Sequence, residues 1–340
     1  MKILELTSTE LTHEIKRLYG KGEYYAQAVY RQIYCHGNTD FKHVKEFQNS
    51  RKLVRELKMA LELNACPVVG EQKEGDLTKF ITKLKDNLQI ESVIIPMETY
   101  QTLCVSTQVG CRMGCRFCAT GQLGFLRNLT IEEIVGQLYT AKFFYGMDIR
   151  NVVFMGMGEP FDNFDNVIQA IRVMSDPKGL NVPKSRITIS TAGMVDGILK
   201  LAELNWSDLN LAVSLNAPNN RIRSSIMPIN RSVPMEKLKE VLLGYPLSKS
   251  RNFLVGYILI KDLNDTHRHA LDLAKFLRPL RVKLNLIPYN RCSDSLFAPP
   301  SDEHIRRFQR WLVNEKFFVR TRSIRGRNVT SACGQLGKKQ

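Results

Sequence analysis

From about Thr102 onward, apolar runs of strand length alternate with helical stretches, and this alternation leaves few architectures open. Strand candidates fall at 103–106, 152–155, 187–190, 211–215, 254–260 and 284–287. Helical stretches at 163–174, 195–204, 235–243 and 266–277 lie between most of them. A further helix is signalled by Thr130-x-x-Glu133, a capping box ahead of Ile134, Leu138 and Ala141. Strand–helix repetition builds a parallel sheet with helices outside it. Six such units fall short of the eight that close a full barrel. The expected fold class is α/β, a partial (β/α)6 barrel whose wide mouth admits a large substrate.

The chain ahead of this alternation reads as short helices. Ser8 or Thr9 can cap one carrying Leu11, Ile15 and Leu18 on one side. A second is expected over 24–34, before the turn His36-Gly37-Asn38, and a third after Ser50, where Leu53, Leu57 and Leu61 recur at helical spacing. The polar segment 70–78 and the strand-like stretches 80–84 and 90–95 read as a connection. The expected division is a small N-terminal helical domain at 1–65, a connecting segment at 66–96, the strand–helix core at 97–328 and a C-terminal tail at 329–340.

Charge narrows the class of partner. The 340 residues include 49 Lys and Arg against 33 Asp and Glu, a formal net charge of +16. Such an excess suits a polyanion better than a small anionic metabolite. It is concentrated from Arg306 onward, where ten basic residues face one acid, Glu315. Phe308, Trp311, Phe317 and Phe318 are interleaved there. Guanidinium groups bind phosphates and rings can stack on unpaired bases, although core packing explains the rings equally well. No apolar run approaches membrane-span length, and Met1-Lys2-Ile3-Leu4-Glu5 lacks the apolar core of a signal peptide. A cytoplasmic location with reduced thiols is expected.

Active-site groups on such a sheet gather at the C-terminal ends of the strands. Cys111, Cys115 and Cys118 follow the first strand in a C-x3-C-x2-C spacing. Gly156-Met157-Gly158-Glu159-Pro160 follows the second, Ser190 ends the third, Ser214 and Asn216 end the fourth, and Asn290 follows the sixth. Three thiolates can hold one metal centre and leave it a ligand short. Structural zinc needs four ligands, usually from two cysteine knuckles. No second pair has that spacing, and the nearest His residues, His43 and His267, are distant in sequence. A 4Fe–4S cluster with one open iron fits better. Zinc and inert thiols are the alternatives.

The cysteine spacing, with Phe117 before the third thiol, resembles the signature of the radical S-adenosylmethionine (SAM) superfamily. Other motifs, in order along nearly the whole chain, resemble the RlmN/Cfr family of radical SAM RNA-adenosine methyltransferases, and RlmN most closely. They are Leu103-Cys104-Val105-Ser106, Arg127-Asn128-Leu129-Thr130, Phe154 to Pro160, Ile189-Ser190-Thr191, Met227-Pro228-Ile229-Asn230, Asn285 to Asn290, and Ala332-Cys333-Gly334-Gln335-Leu336. The resemblance implies a radical SAM barrel. It implies a 4Fe–4S cluster on Cys111, Cys115 and Cys118, and SAM contacts from Gly158, Glu159, Ser190, Ser214, Leu215, Asn216 and Asn290. It implies two SAM molecules per turnover. One methylates Cys333; the other, cleaved on the cluster, yields a radical that takes hydrogen from the S-methyl group. The methylene carbon then bonds to an adenine carbon, Glu91 accepts the proton from that carbon, and Cys104 releases the product by forming a transient disulfide with Cys333. From its own setting Glu91 reads only as a surface strand residue.

What this implies for partners is ribosomal RNA of the large subunit, with transfer RNA as a second substrate, and an electron donor such as flavodoxin or ferredoxin. A monomer is expected. Adenine C2 is favoured over C8 because Glu159-Pro160 and Asn163 look more like RlmN. Two departures bear on substrate identity. Ser214-Leu215-Asn216-Ala217-Pro218 carries Asn where the family usually has His, and Asn328-Val329-Thr330-Ser331-Ala332-Cys333 replaces the usual acidic D-I-D-A-A-C. The alternatives are a paralogue methylating another RNA site or adenosine C8, and a non-catalytic RNA-binding protein with a zinc site.

Overall fold

The computed structural model describes residues 1–291, 295–322 and 334–337. Three helices open the chain: α1 (Ser8–Tyr19), α2 (Glu23–His36) and α3 (Arg51–Ala60). Neither Ser8 nor Thr9 caps α1. Thr7 does, in a capping box with Glu10 that satisfies two backbone donors reciprocally. Gly37, in the left-handed region, ends α2. Leu53 and Leu57 are buried on one side of α3, as their spacing predicts.

The segment read as a connection is largely sheet. β1 (Val68–Glu74), β2 (Leu77–Lys83), β3 (Gln89–Pro96) and β4 (Gln101–Cys104) pair antiparallel in sequence. Gly75 and Asn87 supply the positive φ that the first two turns need. β1 was missed because an edge strand keeps one side in water, and its side chains are accordingly polar.

From β4 the sheet becomes parallel. It continues through β7 (Ile149–Phe154), β8 (Ile187–Thr191), β9 (Asn210–Ser214), β10 (Phe253–Leu259), β11 (Val282–Pro288) and β12 (Val319–Thr321). The six expected units are present, and β12 adds a parallel strand beyond them. A short ribbon, β5 (Gln108–Gly110) with β6 (Phe125–Asn128), stands apart from this sheet. The intervening helices are α4 (Ala119–Gln122), α5 (Ile131–Tyr139), α6 (Phe164–Met174), α7 (Val195–Glu203), α8 (Asn220–Ile226), α9 (Met235–Gly244), α10 (His267–Leu277) and α11 (Asp302–Asn314). The Thr130–Glu133 capping box starts α5 as read.

Alternation along the strands sorts the side chains. Ile189, Val213, Leu284 and Leu286 are buried, whereas the intervening Ser190, Ser214 and Asn285 line a central cavity. One buried apolar cluster joins Ile3, Leu11 and Ile33 of the N-terminal segment to Leu129, Leu138, Val167 and Ile171. The helical segment is thus packed onto the barrel helices. No helix among the described residues is long and apolar enough to cross a membrane.

Candidate active site

The cysteine loop is pinned at both ends. Cys111 N–H donates to the Gly124 carbonyl at 2.8 Å, and Arg116 N–H to the Ile226 carbonyl at 3.0 Å. Gly110 lets the ribbon close tightly: a Cβ there would lie 1.8 Å from the Gly124 oxygen. Cys111, Cys115 and Cys118 all line the central cavity, together with Gly158, Glu159, Ser190, Ser214 and Asn216. Eight sequence-predicted residues thus meet in one place. The cavity holds about 990 Å3, counted out to the solvent at its mouth, at the upper end of the usual size for ligand sites.

Burial pushes the Cys111 thiol up to about 12 and Cys115 well above its ordinary value, with smaller contributions from neighbouring acids and thiols. A bound cationic centre reverses this by favouring thiolates. Among the described residues no three His, Cys, Asp or Glu side chains are gathered closely enough for a single metal ion. The three thiols instead share the wall of a roomy cavity, a donor set that fits a multi-iron cluster with SAM beside it.

Glu159 is buried, and its carboxylate accepts Ala192 N–H at 2.7 Å and Phe161 N–H at 3.2 Å. It straps the loop after β7 to the loop after β8. Burial nevertheless raises it to about 7, against the lowering effect of those donors. Gly158, at φ 101°, leaves no room for a side chain, since a Cβ would lie 2.6 Å from Gln108. Asn216 sits at φ 59°, where Asn is tolerated better than most residues. Its side-chain oxygen accepts Ile258 N–H at 3.0 Å and its amide donates to the Met227 sulfur at 3.4 Å. Leu215 and Asn290 are buried close by but do not line the cavity.

Glu91 is not a surface residue. It is buried and lies 3.5 Å from Nζ of Lys79, itself buried. Lys79, Val93 and Cys104 are in register across β2, β3 and β4, so they share one face with Glu91. Cys104 closes β4 at its C-terminal end. No disulfide joins cysteines among the described residues. Cys333 lies outside the described residues. The segment after it is held on both sides: Ala119 N–H donates to the Gly334 carbonyl and Thr120 Oγ1 to the Leu336 carbonyl, each at 2.7 Å, and Gly337 N–H donates to Glu91 Oε2 at 3.2 Å.

Several residues of the site carried no sequence signal. Gln108 accepts Glu159 N–H and donates to Asn128 and Asp162. Arg322 lines the cavity beside Met155. Arg223 is wholly buried beneath it. A hydrophobic neighbourhood on β2 was the available hint for Lys79. The rings of the C-terminal run turned out mostly structural: Phe308 is buried against Tyr257, and Trp311 packs beside His267, whereas Phe318 is exposed.

An open, mostly parallel sheet with three thiols over its strand ends defines a radical SAM protein, and residues 105–274 match the radical SAM superfamily. Membership of that superfamily implies a 4Fe–4S cluster and SAM. The chain is 41% identical to a protein of Protochlamydia amoebophila described as a probable dual-specificity RNA methyltransferase RlmN 1, over 99% of this chain and 94% of that one. It is 39% identical to the dual-specificity RNA methyltransferase RlmN of Syntrophobacter fumaroxidans, over 98% and 97% of the two chains. The crystal structure of a radical SAM methyltransferase from Sphaerobacter thermophilus matches with a TM-score of 0.91 and 35% identity, covering 99% of both chains. The chain belongs to the RlmN family of radical SAM RNA methyltransferases.

Proposed function

We propose that this enzyme methylates C2 of an adenosine in large-subunit ribosomal RNA, and in transfer RNA, with Cys333 as methyl carrier. The observation that carries the reading is the clamped segment 334–337. Gly334 lines the cavity that holds the three thiols, and three residues later Gly337 meets Glu91. Segment 334–337 thus meets the cluster loop through Gly334 and a buried carboxylate through Gly337, which supports a methyl carrier at the preceding position in the chain.

The bound cluster and SAM would supply the electron and the radical that activate an S-methyl group; two SAM molecules are consumed per turnover. Gly158, Glu159, Ser190, Ser214 and Asn216 form the wall of the SAM site, and the buried Leu215 and Asn290 back it. Glu91 takes the proton from the adenine carbon after that carbon has bonded to the Cys333 methylene. Lys79 holds the Glu91 carboxylate in place. The adduct gives up its unpaired electron to the one-electron redox partner. Cys104, on the same sheet face as Glu91, then attacks the Cys333 sulfur as thiolate, the sulfur–carbon bond breaks, the carbon takes a proton to become the methyl group, and a disulfide forms.

Residues 1–65 serve as the RNA-binding accessory unit, and the barrel at 97–328 carries the chemistry. A groove lined by Lys42, His43, Arg51, Arg55 and Lys58 supports this, because it presents cations in a row suited to phosphates. The enzyme works as a monomer in the cytoplasm with flavodoxin or ferredoxin as electron donor. The test is to map methyladenosines in RNA from cells with and without the gene. Loss of 2-methyladenosine at a ribosomal or transfer RNA position supports the reading. Loss of 8-methyladenosine alone, or no change, contradicts it.

A further inference from the structure

We propose that Arg223 is the fixed counter-charge of the iron–sulfur cluster and raises its reduction potential. Arg223 is wholly buried on α8. Its Nε donates to the Leu215 carbonyl at 3.1 Å and Nη1 to Asn230 Oδ1 at 3.0 Å. Nη2 donates to the carbonyls of Ala192 at 2.5 Å and Ser214 at 3.4 Å. These acceptors are all uncharged, and no carboxylate pairs with the guanidinium among the described residues. An isolated buried cation is costly unless something nearby offsets its charge.

The group whose charge it meets is a cluster ligand. Nη2 holds the Ala192 carbonyl, and Ala192 and Cys115 line the same cavity wall, so the guanidinium lies directly behind the ligand loop. Cys115 packs in one apolar cluster with Ala192, whose carbonyl the guanidinium holds, and with Ile222, Ile226 and Met227, which flank Arg223 along α8 and just after it. Arg116, next to Cys115, is hydrogen-bonded to Ile226 at 3.0 Å. Screening is weaker between buried charges than between exposed ones.

The rest follows from charge. Three thiolates leave the oxidised cluster with a net negative charge, and reduction adds one more. A positive charge held on the strand ends of β8 and β9 and on the turn at Asn230 cannot swing away. It therefore stabilises the reduced form, since cluster potentials follow local charge and solvent exposure. Arg223 is buried and does not line the cavity, so it acts through the cluster as a positioning residue.

The inference rests on the cluster assignment, and the experiment separates the two. Parent, Arg223→Lys and Arg223→Gln are reconstituted anaerobically, and iron and sulfide are counted first. A parent protein without iron removes the cluster assignment itself. Reduced cluster is then followed by electron paramagnetic resonance at fixed potentials, without SAM. At the parent's midpoint, the reduced-to-oxidised ratio of Arg223→Gln should fall at least about tenfold, equal to about 59 mV for one electron. Arg223→Lys should stay within about threefold of the parent. A smaller fall in the Gln variant overturns the proposal, and so does loss of the cluster from both variants, which marks a structural clamp. Should the Gln variant alone lose its cluster, the Lys variant decides by the same threefold limit.

Discussion

Two buried carboxylates show how much single residues contribute. Glu159 is held near 7 by burial, so the folded protein keeps its proton at pH values where the unfolded chain has lost it. Its contribution to stability is full below about pH 4.5 and is lost as pH rises toward 7. For iron-free protein the loss is on the order of 3 kcal/mol between those limits. Denaturant melts at pH 5 and pH 7.5 should show this slope in the parent and not in Glu159→Gln; equal slopes would refute the assignment. Glu91 is stabilised differently, by Lys79 at 3.5 Å with both side chains buried. Lys79→Met leaves that carboxylate buried without its counter-charge and should cost about 3–5 kcal/mol. Lys79→Met with Glu91→Gln should recover most of the loss, and an additive double mutant would contradict a coupled pair. The gathering of the cysteines and strand-end polar groups was legible because loops after successive parallel strands open on one side of the sheet. The Lys79–Glu91 pair was not, because it depends on register between two strands that approach from opposite directions.

Among the elements, those with strong local signals were read correctly and those fixed by their neighbours were not. The capping box of α5 and the Leu53–Leu57 stripe of α3 specify their own conformation. β5, β6 and β12 are only three or four residues long and exist by pairing with what lies beside them. The exposed side of α3 carries Arg51, Arg55 and Lys58 along the basic groove. Replacing these three by Glu should lower the salt dependence of RNA binding by a slope of about 2–3. Far-ultraviolet circular dichroism should be unchanged, because Leu53 and Leu57 still hold the helix. An unchanged salt slope would make the groove ordinary surface.

At the scale of the whole molecule, the sheet brings distant chain segments together. β3 and β4 contribute Glu91 and Cys104, the loop after β5 contributes the thiols, and Gly334 to Gly337 returns from the far end of the chain to contact both regions. The strand–helix alternation made the barrel readable; the extra strands at both edges depend on pairing that local sequence does not encode. Removing Cys111, Cys115 and Cys118 together should abolish iron binding, about four irons in the parent, while the apolar core keeps the fold; full iron retention would refute the ligand set. The central claim is the division of labour between two thiols. Cys333→Ala and Cys104→Ala, purified from RNA-containing cells, can be run on denaturing gels with and without ribonuclease. Cys104→Ala should carry a covalent RNA band that ribonuclease removes, because bond formation proceeds and release fails, and Cys333→Ala should carry none. An RNA-linked band in Cys333→Ala, or parent-rate turnover by Cys104→Ala, would contradict the account.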